Sequence, residues 1–217
     1  MPEKGWDENK LDMFRRHIIQ LGTTGVFVIY DELEGKEPVT WSYLLHTVEL
    51  PMEIQELTDE VKVIGKNKAG GVSVAHLFSS AKTEQAMVDT FFCAPTNWKN
   101  VTNAQGKALK YPNHWHFSST TVPCKTARFL TVMDTHGKNR PDMQVVRKGN
   151  TIQVGDWTIT CNLTEKGKAA IYVSNKTEKV SLNYDAGKKE GATIVTDQVK
   201  GKQVNKVLTD YLPDFEI

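Results

Sequence analysis

The stretch Phe14-Arg-Arg-His-Ile-Ile-Gln-Leu-Gly-Thr-Thr-Gly-Val-Phe-Val-Ile-Tyr-Asp-Glu-Leu-Glu34, followed by Trp41-Ser-Tyr-Leu-Leu-His46, decides the fold. β-Branched and aromatic residues dominate it, and two groups of turn residues interrupt it, Gly22-Thr-Thr-Gly25 and Glu34-Gly-Lys-Glu-Pro38. Residues of the first kind suit a pleated, half-buried surface, while Gly and Pro punctuate it. The stretch therefore predicts three successive β-strands.

The same period of two continues outward through Val61-Lys-Val-Ile64, Val72-Ser-Val-Ala-His-Leu-Phe78, Trp115-His-Phe117 and Ala127-Arg-Phe-Leu-Thr-Val-Met133. Gly65-Lys-Asn-Lys-Ala-Gly-Gly71 and the Asn/Lys/Gly stretch from Thr96 to Asn113 read as connections. Helical periodicity is nearly absent. Its best candidate is Lys82-Thr-Glu-Gln-Ala-Met-Val88, which runs straight into the strand-like Val88-Asp-Thr-Phe-Phe-Cys93.

A second character begins near His136-Gly-Lys-Asn-Arg-Pro141. After it come short strand patterns at Met143–Val146, Thr151–Val154, Trp157–Cys161, Ala169–Val173, Val180–Tyr184, Thr193–Thr196 and Gln203–Leu208. Val154-Gly-Asp-Trp157 reads as a tight hairpin, because Gly-Asp can take the positive φ of a primed turn. The fold expected is all-β: a large antiparallel β-sandwich region over residues 1–138, then a smaller β domain over residues 139–217.

A chain of 217 residues can bury a substantial core, and 39% apolar with 24% charged residues is ordinary for a folded protein. A formal charge of +1 gives no overall field to attract nucleic acid or an anionic membrane. No apolar run approaches the roughly 20 residues that span a bilayer. The first ten residues lack the apolar core of a secretory signal, which fits a cytosolic chain or one whose export signal lies elsewhere. Cys93, Cys124 and Cys161 form no CxxC pair and read as plain small residues.

Arg16-His-Ile-Ile-Gln-Leu-Gly-x-x-Gly-Val-Phe-Val-Ile-Tyr-Asp31 is similar to a strand pair of the heparinase II/III-like polysaccharide lyases, in which an Arg leads one strand and an Asp ends the next. Thr40-Trp-Ser-Tyr-Leu-Leu-His46 and Asn113-His-Trp-His-Phe117 resemble the strands that follow there, so the likeness covers residues 14 to about 135. It implies an antiparallel β-sandwich beside an α/α toroid, β-elimination of uronic-acid glycans such as glycosaminoglycans, and a periplasmic or secreted location. The partners implied are an acidic polysaccharide and the toroid. No position here matches the family's catalytic or metal motifs, so no catalytic residue, metal or cofactor is carried over.

Among individual residues, His114 and His116 lie at i and i+2 and share a strand face, where two imidazoles can meet a metal ion or a sugar. A zinc site needs further ligands, for which His46, His76, His136, Asp31 and Asp134 are the available donors. The plainer reading puts both histidines toward solvent while Trp115 and Phe117 fill the core. His46 reads either as a site residue at the sheet rim or as a histidine tucked against the core. Asp31 reads as the cap of the turn that follows it, and Arg15 or Arg16 as its cross-strand ion partner or that of Glu32.

Trp98, in the polar segment Pro95–Asn100, is the tryptophan whose neighbours suggest exposure and stacking on a pyranose, against ordinary packing for it and for Trp6, Trp41, Trp115 and Trp157. Lys62, Lys66, Lys68, Lys99, Lys107 and Lys110 read as solvated loops or as contacts for an anionic glycan. No phosphate loop, nucleophile elbow or HExxH motif occurs. Two functions follow as expectations. One is a non-catalytic β-sandwich domain of such a lyase. The alternative is a self-standing carbohydrate-binding module using Trp98, His114 and His116.

Overall fold

A computed structural model describes residues 11–89, 102–107, 114–188, 193–199 and 202–208. Among them every regular element is a β-strand, and no helix is long and apolar enough to cross a membrane. The chain divides into two compact units, Met1–Asp142 and Met143–Ile217.

The deciding stretch folds as an antiparallel hairpin of β1 (Leu11–Gln20) and β2 (Val26–Val39). Its turn is built as the glycines suggested: Gly22 and Gly25 hold φ of 55° and 78°. The Leu21 amide donates to the Val26 carbonyl at 2.9 Å. A Cβ at Gly25 would lie 2.6 Å from the Thr135 carbonyl oxygen, so glycine is required there for space as well as for φ.

The second break does not occur. β2 runs on through Glu34–Pro38, and Glu34 faces Thr126 while Val39 faces Cys124 on β9 (Cys124–Gly137). The extra residues of β2 bulge out of the ladder there. A proline, lacking an N–H, is tolerated at such a place.

Five strands complete the first unit's two sheets with those already named: β4 (Glu53–Glu56), β5 (Val61–Lys66), β6 (Gly71–Ser79), β7 (Thr83–Val88) and β8 (His114–Thr121). With β3 (Ser42–Val48), they give a six-stranded sheet ordered β1-β2-β9-β6-β5-β4 and a three-stranded sheet ordered β3-β8-β7. All neighbours are antiparallel. Lys82–Val88, the best helical candidate in a sequence with little helical periodicity, instead contains strand β7, with burial alternating at every residue. Glu84, Gln85, Ala86 and Met87 are good helix formers, but Met87 reaches the core only when the segment pairs with β8. β4 escaped the sequence reading because Glu53-Ile-Gln-Glu56 has one apolar residue and hence no visible period.

The two sheets meet face to face over Leu33, Trp41, Tyr43, Val63, Leu77, Phe117 and Phe129. Tyr43 and Phe129, from opposite layers, have ring centroids 5.8 Å apart. The Trp41 indole N–H donates to the Cys124 carbonyl at 3.1 Å. On the other face of the large sheet Val26, Val28, Tyr30, Val74, Leu130 and Val132 are also fully buried, so its middle strands are closed on both sides.

The second unit is a seven-stranded antiparallel meander: β10 (Val145–Lys148), β11 (Thr151–Val154), β12 (Trp157–Cys161), β13 (Ala170–Asn175), β14 (Val180–Asp185), β15 (Thr193–Val199) and β16 (Lys202–Leu208). Gly155, at φ 53°, opens the tight turn that sets Val154 opposite Trp157. One face carries the buried Ile152, Val154, Trp157, Ile159, Ile171, Val173 and Tyr184. Cys161 is buried and Cys124 partly so, neither of them in a disulfide, and Cys93 lies outside the described residues.

Candidate functional site

The pairing of β3 with β8 places His46 directly opposite His116, and the rings meet edge to face with centroids 4.4 Å apart. His114, two residues earlier on β8, shares that face, while Phe117 is buried on the opposite one and Trp115 packs beside it. His46 is exposed, His114 half-buried and His116 only 7% exposed. Burial, followed by the neighbouring charges of His46 and His114, pushes the His116 imidazole below its ordinary range. Leu44 and Val48 flank the group as exposed apolar residues.

A second constellation sits on the sandwich side of β1 and β2. Arg16 donates from Nε to Asp31 Oδ1 at 2.6 Å and from a terminal nitrogen to Oδ2 at 2.7 Å, a two-pronged pair. The guanidinium carbon also lies 5.5 Å from the centre of the Tyr43 ring. Asp31 is 2% exposed and Tyr43 3%. Burial raises the Tyr43 phenol above its usual range, the Asp31 charge adds to this, and a hydrogen bond with Thr131 opposes it. The phenol stays protonated at neutral pH and serves as a packed polar anchor, a poor proton acceptor. Arg16 is raised chiefly by its hydrogen bonds to Asp31.

A third group gathers at the end of β9. Arg140 donates to the fully buried Asp134 and, at 3.3 Å, to the Thr135 carbonyl. His136 meets the Gly137 carbonyl through Nδ1 at 2.8 Å and the Asp142 carboxylate through Nε2 at 3.1 Å. Asp142 faces Lys62 at 3.8 Å, and His76 faces Glu60 at 3.3 Å. Burial lowers the His76 imidazole, and the Glu60 charge works against that. Each of these carboxylates meets a cation or an imidazole, which fixes the sheet's end rather than freeing a base. Beside the group lies an open cleft of about 540 Å³, lined in part by Lys66, Asn67, Ser73 and His136.

Of the donors expected to complete a metal site with His114 and His116, the fold brings His46 alongside. His76, His136, Asp31 and Asp134 belong to strands of the six-stranded sheet. Among the described residues no cluster of three or more His, Cys, Asp and Glu side chains is arranged to hold a metal ion. His46 is not tucked against the core; it stands on the outer face beside Leu44. Asp31 is not a turn cap either. It sits within β2, and its carboxylate is taken up by Arg16, while Arg15 approaches Glu32 at 3.7 Å.

Trp6 and Trp98 lie outside the described residues, as do Lys99 and Lys110, whereas Trp41 and Trp157 are buried. Lys68 pairs with Glu49 at 3.2 Å. The Asp134–Arg140 and His136–Asp142 contacts escaped sequence reading, since the polar run His136–Pro141 carries the same composition as a plain linker. Comparison with protein-family models and with curated proteins finds no match to this chain.

Proposed function

We propose that this chain is the non-catalytic β-sandwich part of a heparinase II/III-like polysaccharide lyase, bracing a helical toroid that performs β-elimination on uronic-acid glycans. The observation that carries the reading is the state of β1. This strand bears the leading Arg of the resemblance and forms one edge of the six-stranded sheet. Phe14 and Ile18, on either side of Arg16 and on its face, are 59% and 66% exposed. An edge strand that shows an aromatic and a β-branched side chain to solvent invites coverage by another body. The Arg16–Asp31 fork ties that strand to its neighbour.

The chemistry points the same way. β-Elimination needs a base at C5 and a group that takes up charge developing on the carboxylate. Tyr43 is held protonated in the core and Asp31 is engaged by Arg16, so the polar groups nearest the resemblance serve the scaffold. On this reading the chain works in the periplasm or outside the cell. The test is to incubate the purified chain with heparin, heparan sulfate and alginate and follow the absorbance of unsaturated uronate. A flat trace is expected; a sustained rise would overturn the proposal.

A further inference from the structure

The seven-stranded sheet of the second unit buries one face and leaves the other polar. Its pairing aligns Gln153, Thr158, Ser174, Ser181, Thr196 and Asn205 in one cross-strand row. The next row runs through Thr151, Thr160, Tyr172 and Asn183. Thr and Ser suit strands, so such rows alone mark a solvated face. Three further observations set this one apart.

The face is recessed. A cleft of about 360 Å³ opens over it, lined among others by Thr158, Thr160, Tyr172, Ser174, Ser181 and Thr196. That is the lower part of the size range, about 300–1,000 Å³, in which small-molecule sites fall. Ser174 is only 9% exposed, whereas Tyr172 on the same strand is 42% exposed, so a ring stands up beside a sunken hydroxyl floor. Finally, Lys176 and Lys179 also line the cleft, from the turn joining β13 to β14. Lys179 holds φ 56°, and its carbonyl accepts a hydrogen bond from the Gln198 side chain at 3.3 Å. The Glu178 amide donates to Asn175 Oδ1 at 3.0 Å, so the lysine-bearing turn is pinned at both sides.

An exposed aromatic face, a bed of hydroxyls and amides, and two exposed lysines on a pinned turn at one end match a pyranose that bears a carboxylate. The ring's apolar face would lie on Tyr172, its hydroxyls would exchange hydrogen bonds with the Thr and Ser side chains, and the carboxylate would meet Lys176 and Lys179. We infer that this cleft is a binding site for an acidic oligosaccharide, separate from the first unit and independent of the lyase reading.

The experiment is calorimetric titration of the full chain with an alginate-derived uronate tetrasaccharide, with a neutral glucan tetrasaccharide alongside. The uronate should bind, and more tightly than the glucan. Tyr172→Ala should weaken it roughly tenfold, the scale of losing an aromatic anchor. The double variant Lys176→Ala/Lys179→Ala should remove the preference for uronate and most of the salt dependence. Thr160→Glu, at an exposed position, should abolish uronate binding by placing a like charge in the cleft. The inference is overturned if the wild-type chain binds no uronate, if it binds glucan as tightly, or if folded Tyr172→Ala or Thr160→Glu binds unchanged. Because the readout is binding, it stands or falls apart from any eliminase assay.

Discussion

His46 and His116 face each other across adjacent antiparallel strands, and one ring presents its edge to the other at 4.4 Å between centroids. Two imidazoles at that separation cannot both be charged without repulsion. Burial, and then the neighbouring charge of His46, hold the pKa of the buried member, His116, below its ordinary range.

A stability prediction follows from the sign of that shift. His116 and His76 both have folded-state pKa values lowered mainly by burial. The unfolded chain, with imidazoles near about 6.5, takes up protons that the folded chain refuses. This contribution to stability is present above that value and declines as the pH falls through it. Urea midpoints should drop between about pH 7.5 and about pH 5.5, and His116→Asn should flatten the slope. Removing the neighbour, in His46→Ala, should raise the His116 pKa in an imidazole NMR titration. A midpoint that holds or rises on acidification would contradict the argument.

The Arg16–Asp31 fork gives a second prediction. Arg16→Ala leaves a carboxylate that is 2% exposed without its bidentate partner. Breaking a fully buried pair this way costs about 3–5 kcal/mol, and the partly open guanidinium brings the expectation down to about 2 kcal/mol. Arg16→Lys should recover only part of the loss, because an ammonium cannot form the fork. Chemical denaturation of the two variants measures both. A loss within error of zero for Arg16→Ala would show that water replaces the guanidinium without penalty.

Phe14 and Phe117 should behave as opposites under truncation. Phe117 is fully buried between the sheets, and Phe117→Ala should cost about 3–5 kcal/mol through lost burial and a residual cavity. Phe14 is 59% exposed, and Phe14→Ser should stay within about 0.5 kcal/mol of the parent chain. Thermal melts decide this. A large loss for Phe14→Ser would mean that its ring packs within this chain, and the case for an open docking edge would weaken with it.

Much of the architecture was legible from the residues because side-chain alternation is a local signal. Thr151–Val154 and Trp157–Cys161 fold with the limits their pattern suggested, and Gly155 makes the turn between them. The histidine face was half legible: the spacing of His114 and His116 put both on one side of a strand. It could not reveal that His46, on a strand distant in sequence, would complete the group. The Asp134–Arg140 contact was invisible for the same reason, since a polar run reads alike whether it is solvated or folded back on a buried carboxylate.

What the sequence determined by itself was the kind of element, the turns that need glycine, and which side of most strands is apolar. These depend on backbone sterics and on a period of two, both properties of a few consecutive residues. Tertiary structure alone decided that β9 lies between β2 and β6, that β2 runs through Glu34–Pro38, that Thr83–Val88 is strand, and that His46 stands opposite His116. Register and neighbour choice are fixed by burying apolar faces across long loops. That free energy belongs to the assembled sheets, and no window along the chain contains it.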